Sequence, residues 1–312
     1  MLACGLATIA LTAVGLVAVG APAFRLALAL AFAGVAPLAL GSVVLSRFDL
    51  WPAVITVMAL VAFLASADRL GAGLLGVAVA AKLYPAVLVP LAAAWVWRRS
   101  GRREAVVAGA VFGAVVGAIV LPFVVVAPEG LAASAWRQLA RPLQIEALGA
   151  AVLVSLHHLA GLGLDVRTSS GSQNVAGAHA VAVGAAHSVL QAAVLVWLWL
   201  RFARGPAEPE RLIRYSAAAV LAFVALGKVL SPQFLIWLIP LVPLVAGRRG
   251  LAASALVGAA LVLTQLWFPS RYWEYAGGVD GTVTAIVLAR DLVLVAALVI
   301  LAAPASKSNR PR

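Results

Sequence analysis

Lys82-Leu83-Tyr84-Pro85 puts a lysine, a tyrosine and a helix-breaking proline in four consecutive positions. Such a lysine is a point charge suited to an anionic headgroup or a sugar-linked phosphate; it can equally snorkel to a membrane interface. Lys228-Val229-Leu230-Ser231-Pro232-Gln233 repeats the device. Pro232 frees backbone groups, and Ser231 and Gln233 can line a polar pocket, although a plain helical hairpin turn would use the same residues. The stretch Trp136–Glu146 holds Arg137, Gln138, Arg141, Gln144 and Glu146. Its arginines suit bidentate phosphate binding and its amides suit sugar hydroxyls; an amphipathic interfacial helix is the plainer alternative.

Acidic groups are scarce, so each is a candidate for proton transfer. Asp49 follows Arg47 at a turn and can act as a general base on a hydroxyl, or simply sit near a helix N-terminus. Arg271-Tyr272-Trp273-Glu274-Tyr275 joins aromatics to charge, as sugar stacking with anion binding requires and as an interfacial aromatic belt also provides. Arg290-Asp291 enters the last apolar run, where the two can neutralise each other or hold a substrate hydroxyl. His157-His158 are adjacent, so on a helix they point in different directions and make a poor metal pair. No metal and no cofactor is expected. The one cysteine, Cys4, excludes an intrachain disulfide.

These residues must be positioned by elements built for lipid. Of 312 residues, 64% are hydrophobic and 11% charged, less than half the charge of an ordinary soluble domain. The net charge of +12 does not imply nucleic acid, because the basic residues lie in short clusters between apolar runs. The expected fold is all-α: a single transmembrane domain over 1–312, a polytopic bundle of about 11 spans. The spans fall near 2–21, 25–46, 51–67, 70–83, 84–98, 105–127, 181–201, 213–230, 233–247, 251–268 and 286–303. The pair 70–83 and 84–98 can also be one kinked helix, but Lys82 and Pro85 argue for two.

Basic clusters fix the orientation. Arg98, Arg99, Arg102 and Arg103, then Arg201, Arg204, Arg211 and Arg214, then Arg248 and Arg249, and finally Lys307, Arg310 and Arg312 all fall on one, cytoplasmic, side. Alternation then places the candidate chemistry on the extracytoplasmic face of a multi-pass cell-membrane protein. The segment 128–180 starts and ends outside, so its apolar stretch 147–164 is expected to be a re-entrant or interfacial helix on the outer face. Alternation also puts Met1 outside, as if an upstream span and its outer loop were missing.

Five separated segments resemble glycosyltransferase family 87, the C-type membrane glycosyltransferases of actinobacteria. They are Arg47-Phe48-Asp49-Leu50-Trp51-Pro52, Ala81-Lys82-Leu83-Tyr84-Pro85, Arg141-Pro142-Leu143-Gln144-Ile145-Glu146, Gly171-Ser172-Gln173-Asn174 and Lys228-Val229-Leu230-Ser231-Pro232-Gln233-Phe234. The resemblance implies transfer of a hexose, most often mannose, from a polyprenyl-phosphate donor to a lipid or glycan acceptor outside the cell. It implies direct inversion, with a carboxylate taking the acceptor proton and cations holding the departing lipid phosphate. Lys82, Arg141, Lys228 and Arg271 are candidates for the cations, and Asp49 and Glu146 for the carboxylate. Tyr84, Gln144, Ser231, Gln233, Tyr272, Trp273 and Asp291 complete the expected substrate-binding set. The resemblance also implies that an N-terminal span, and a first outer loop carrying the family's main aspartate, lie outside this chain.

Two other readings fit the same residues. Broken helices beside a cavity also mark transporters and lipid flippases, which usually show two similar halves and a midplane site. No internal repeat is visible here. A truncated, non-catalytic glycosyltransferase remnant is the third reading.

Overall fold

The computed structural model describes residues 1–304, so the predicted basic tail at Lys307, Arg310 and Arg312 lies outside the described residues. The helices run α1 Leu2–Ala18, α2 Ala23–Leu40, α3 Ser42–Ser46, α4 Leu50–Leu64, α5 Asp68–Ala81, α6 Val89–Val126, α7 Pro128–Leu139 and α8 Leu148–Ala160. A hairpin of β1 Asp165–Ser169 and β2 Ser172–Ala176 follows. The helices then continue as α9 Ala178–Arg204, α10 Pro209–Ala225, α11 Gly247–Gln265, α12 Tyr272–Ala276 and α13 Gly281–Ala302. Short 3-10 segments cover Tyr84–Leu88, Pro232–Leu238 and Val242–Leu244.

The fold is helical as expected, with that hairpin as an addition. Four helical runs are long and apolar enough to cross a membrane: Ala23–Leu40, Tyr84–Val126, Ala178–Arg204 and Gly281–Ala302. Leu2–Ala18, Leu50–Leu64, Leu148–Ala160 and Pro232–Leu244 are shorter apolar segments. At the centre stands α10, buried all round from Tyr215 to Val220 and again at Val224 and Ala225. Its Ala217-Ala218-Ala219 run lets neighbouring backbones approach closely. It packs against α13, α9 and the 3-10 segments.

Three features bear on the expected elements. The run 233–247 is not a regular α-helix. Pro232, Pro240 and Pro243 remove donors along it, and tighter 3-10 turns with two non-helical joints result. The predicted spans 84–98 and 105–127 are two helical segments of α6 that meet at Gly101 (φ 86°, ψ 173°). That residue reverses the chain: Val89 and Phe112 line one small cavity, whereas on a straight helix they would stand about 35 Å apart. Thirdly, 165–176 is a β-hairpin in what was read as an outer loop. Ser170 (φ 52°) and Gly171 (φ 73°) make its two-residue turn between the paired Ser169 and Ser172.

One end of the bundle is tied together by arginines on helix C-termini, where carbonyls lack helical partners. Arg98 donates to Ala203 O (2.7 Å) and to Gly205 O beyond α9. Arg214 donates to Leu301 O and Ala303 O at 3.0 Å, and Arg249 to Ala303 O at 2.8 Å, all at the end of α13. The turn at Gly101 joins the same end, since Ser100 donates to Asp68 (2.5 Å) and Arg69 pairs with Glu104 (2.8 Å). Buried Arg25 donates to Pro243 O and Val245 O at 2.7 and 2.8 Å. The basic clusters separated in sequence thus meet at one end.

Candidate functional site

Measured from this arginine end, the polar breaks lie at one level. The fourteen residues of α5 rise about 21 Å before Lys82, and the fifteen of α4 about 22 Å before Asp49 is reached. From Arg214 to the end of α10 is about 16 Å, as it is from Leu301 back to Arg290.

Asp49 precedes α4 but does not cap it. Only 1% of its side chain is exposed, and its Oδ1 accepts from Lys82 Nζ at 2.5 Å and from the Trp237 indole N–H at 2.7 Å. Oδ2 takes no hydrogen bond among the described residues. Lys82 reaches Asp49 because α5 stops at Ala81 and Lys82 is extended (φ −158°, ψ 139°). Its ammonium also stands 5.1 Å from the Phe48 ring centroid, 5.3 Å from Trp237 and 6.0 Å from Phe234, within cation–π range. Behind it Tyr84 stacks on Trp237 (4.1 Å, 3°), and Trp237 on Phe234 (4.3 Å). The Tyr84 hydroxyl meets Thr56 Oγ1 at 3.1 Å, while Thr56 donates to Pro52 O. The result is one carboxylate oxygen fixed by a cation and an indole, its twin left available, in an aromatic box.

A second cluster forms around Glu146. The segment 143–145 runs beside β2 as a short third strand: Ile145 N donates to Gln173 O (3.0 Å) and Val175 N to Leu143 O (2.9 Å). Gln144 N donates to Lys228 O at 2.9 Å, so the break after α10 receives the strand. Arg290 Nη2 donates to Glu146 O (2.7 Å), and Tyr275 donates to Ile145 O (2.8 Å). Arg290 lies about 14 Å along α13 from Gly281, while His158, at the far end of α8, is beside Gly281. The chain therefore dips into the bundle at Glu146 and climbs out along α8.

Inside this cluster Gln144 Nε2 donates to Glu146 Oε2 at 2.8 Å. Arg290 Nε and Asp291 Oδ1 are 2.6 Å apart with neither side chain exposed, yet the guanidinium N–H is not aimed at the oxygen. Arg290 Nη1, both Asp291 oxygens, Gln144 Oε1 and Arg141 Nε are buried without a hydrogen-bond partner. Burial pushes the Glu146 carboxyl up to about 8, against the pull of Arg290 and Arg141 and with Asp291 adding to the rise.

The other expected residues divide. Arg141 donates to Ser172 Oγ at 3.1 Å beside the Glu146 cluster. Lys228 donates its ammonium to Leu139 O (3.0 Å) at the end of α7. Arg271 pairs with Glu274 (2.8 Å) and Asp280 (3.5 Å), so two carboxylates offset the charge expected to meet an anion. Ser231 and Gln233 are half-buried at the break and make no side-chain hydrogen bond among the described residues. Tyr272 packs on Trp267 and Trp273, and Trp273 itself is 68% exposed. Trp237, which completes the Asp49 site, was not foreseen. Its only signal is being the one indole in the proline-interrupted run after Lys228. Among the described residues no group of three or more His, Cys, Asp or Glu side chains could hold a metal ion.

No family model, curated protein or solved structure matches the chain.

Proposed function

We propose that this chain is a membrane glycosyltransferase that moves a hexose, mannose by its resemblance to glycosyltransferase family 87, from a polyprenyl-phosphate donor to a lipid or glycan acceptor. In this reading the helices form a C-type bundle of about 11 spans with α8 re-entrant, the arginine end faces the cytoplasm, and the reaction opens to the extracytoplasmic side. The observation that carries it is Asp49: buried, held through Oδ1 by Lys82 and Trp237, with Oδ2 available.

The chemistry follows from that arrangement. Oδ2 accepts the proton of the acceptor hydroxyl as its oxygen attacks the anomeric carbon. The bond from that carbon to the phosphate oxygen breaks with inversion, and the lipid phosphate leaves with the electron pair. The Lys82 ammonium, already at the carboxylate, is the nearest cation to stabilise the developing charge. A low-dielectric wall of Tyr84, Trp237 and Phe234 strengthens both effects.

Transport is the second reading, because the two broken helices meet. The 3-10 turn at Tyr84–Leu88 and the run from Pro232 touch through the Tyr84–Trp237 stack, in the manner of discontinuous transporter helices. Labelled mannose presented as polyprenyl-phosphate-mannose, in membranes carrying the chain, separates the two. Transfer into a lipid or glycan product that disappears in Asp49→Asn supports the enzyme. Equal transfer by both removes Asp49 from the chemistry. Silence of the wild type, with movement of the intact donor across proteoliposomes, favours transport.

A further inference from the structure

A cavity of about 400 Å³ opens where the end of α8, the β-hairpin and α12 meet, and its lining is more polar than apolar. It lies apart from both clusters described above: His157 on its wall is eleven residues, about 16 Å, along α8 from Glu146. The chemistry-bearing residues on it are His157, Asp165, Thr168, Gln173 and Trp273, with Gly277 on the rim.

Their hydrogen bonds leave a defined set of free positions. His157 Nδ1 is 2.7 Å from Leu162 O, so Nδ1 carries the proton and Nε2 is left as an acceptor. Thr168 donates to Gln173 Oε1 at 3.0 Å, which leaves the Gln173 amide with its N–H donors. Asp165, the one formally charged side chain in the lining, is already paired with Arg167 at 2.7 Å. Trp273 adds an exposed aromatic face and an indole N–H. Neutral donors and acceptors beside a flat ring are what a pyranose needs: its C–H face packs on the indole and its hydroxyls bond to amide, imidazole and hydroxyl. An anion finds no unopposed cation here, and an acyl chain would leave these polar groups unpaired.

We propose that this cavity binds an uncharged sugar ring of a glycan, at a position remote from the reacting hydroxyl. Its role as an acceptor subsite rests on the glycosyl-transfer reading; the binding itself does not. An acceptor held here presents at least one further sugar besides the one that reacts, which makes it a glycan or glycolipid rather than a bare lipid alcohol.

The test is a titration of the purified full chain with mannobiose, followed by ligand-observed NMR, with inorganic phosphate as the charged control. The wild type should bind mannobiose and ignore phosphate. Trp273→Ala and Gln173→Ala should each weaken binding about tenfold, and Trp273→Phe should restore part of it. No binding by the wild type, or binding that ignores both substitutions, overturns the proposal. The mannose-transfer assay run alongside separates the two readings. Loss of binding in the variants with no transfer by the wild type leaves the pocket standing and removes the enzyme. Transfer whose acceptor KM ignores both substitutions removes the acceptor-subsite role and leaves the enzyme.

Discussion

Two ion pairs lie at the same level of the bundle and differ in almost everything else. Lys82–Asp49 is partly open, with 21% of the lysine side chain exposed, and it shares Asp49 with an indole donor. Arg290–Asp291 is fully enclosed and leaves both carboxylate oxygens without an aligned donor. The first leaves Asp49 Oδ2 without a hydrogen bond among the described residues. The second spends Arg290 on a backbone carbonyl of the re-entrant strand, holding Glu146 and its neighbours in place. Charge at membrane depth is therefore not a sufficient mark of chemistry. What separates the two carboxylates is how their oxygens are held: Asp49 Oδ1 by two aligned donors, Asp291 by none.

The contrast is sharpest under substitution. Asp49→Asn keeps the shape and the indole bond but removes the base. Mannose transfer should fall by about 10²–10⁴-fold, while the thermal midpoint in detergent moves little. A variant that loses stability instead of activity would make Lys82–Asp49 the structural pair. Arg290→Met should do the reverse, destabilising the fold by about 3–5 kcal/mol because Asp291 is left buried and unpaired. Arg290→Met with Asp291→Leu should recover most of that loss. Denaturant unfolding of the two variants measures the difference, and an equally unstable double variant would mean that the strand contact to Glu146 O dominates.

A smaller effect is expected at Trp237→Phe. The ring still stacks between Tyr84 and Phe234, but the N–H to Asp49 Oδ1 is gone. Loss of a hydrogen bond to a buried charged group costs about 1–3 kcal/mol. Transfer should drop about tenfold with little change in donor KM. A purely structural role for Trp237 would instead leave activity per folded molecule unchanged.

The sequence carried the elements better than the contacts. Apolar run lengths and arginine clusters were enough to place helices and to predict that the basic turns share an end, because both are local in the chain. Lys82 and Pro85 announced the break that frees the lysine, since Pro85 disfavours helix at the preceding residue. What stayed hidden was non-local. Nothing near Asp49 says that Trp237, 188 residues later, donates to it. Nothing near Glu146 says that α13 supplies Arg290 to its carbonyl. The β-hairpin was missed because Ser170-Gly171, a usable turn pair, sits in a short polar stretch with weak alternation. The basic residues outside the arginine clusters looked alike as charges, and only their partners separate Lys82, paired with Asp49, from Lys228, bonded to a backbone carbonyl, and Arg271, held by two carboxylates.

The mildest perturbation probes the enclosed cluster through pH. Glu146 ionises near 4.5 when unperturbed and near 8 in the folded chain, because burial penalises its charge more than Arg290 and Arg141 favour it. Between those values the unfolded chain has released this proton and the folded chain retains it. Stability from this group is then fully present below about pH 4.5, declines as pH rises, and levels off above about pH 8. An ordinary ion-paired carboxylate, with its value depressed, would show the opposite slope. Thermal unfolding in detergent from pH 5 to 8.5 should fall steadily for the wild type and less steeply for Glu146→Gln, which mimics the protonated acid and keeps the bond with Gln144 by exchanging donor and acceptor. Parallel slopes in the two proteins would show that Glu146 is ionised in the fold.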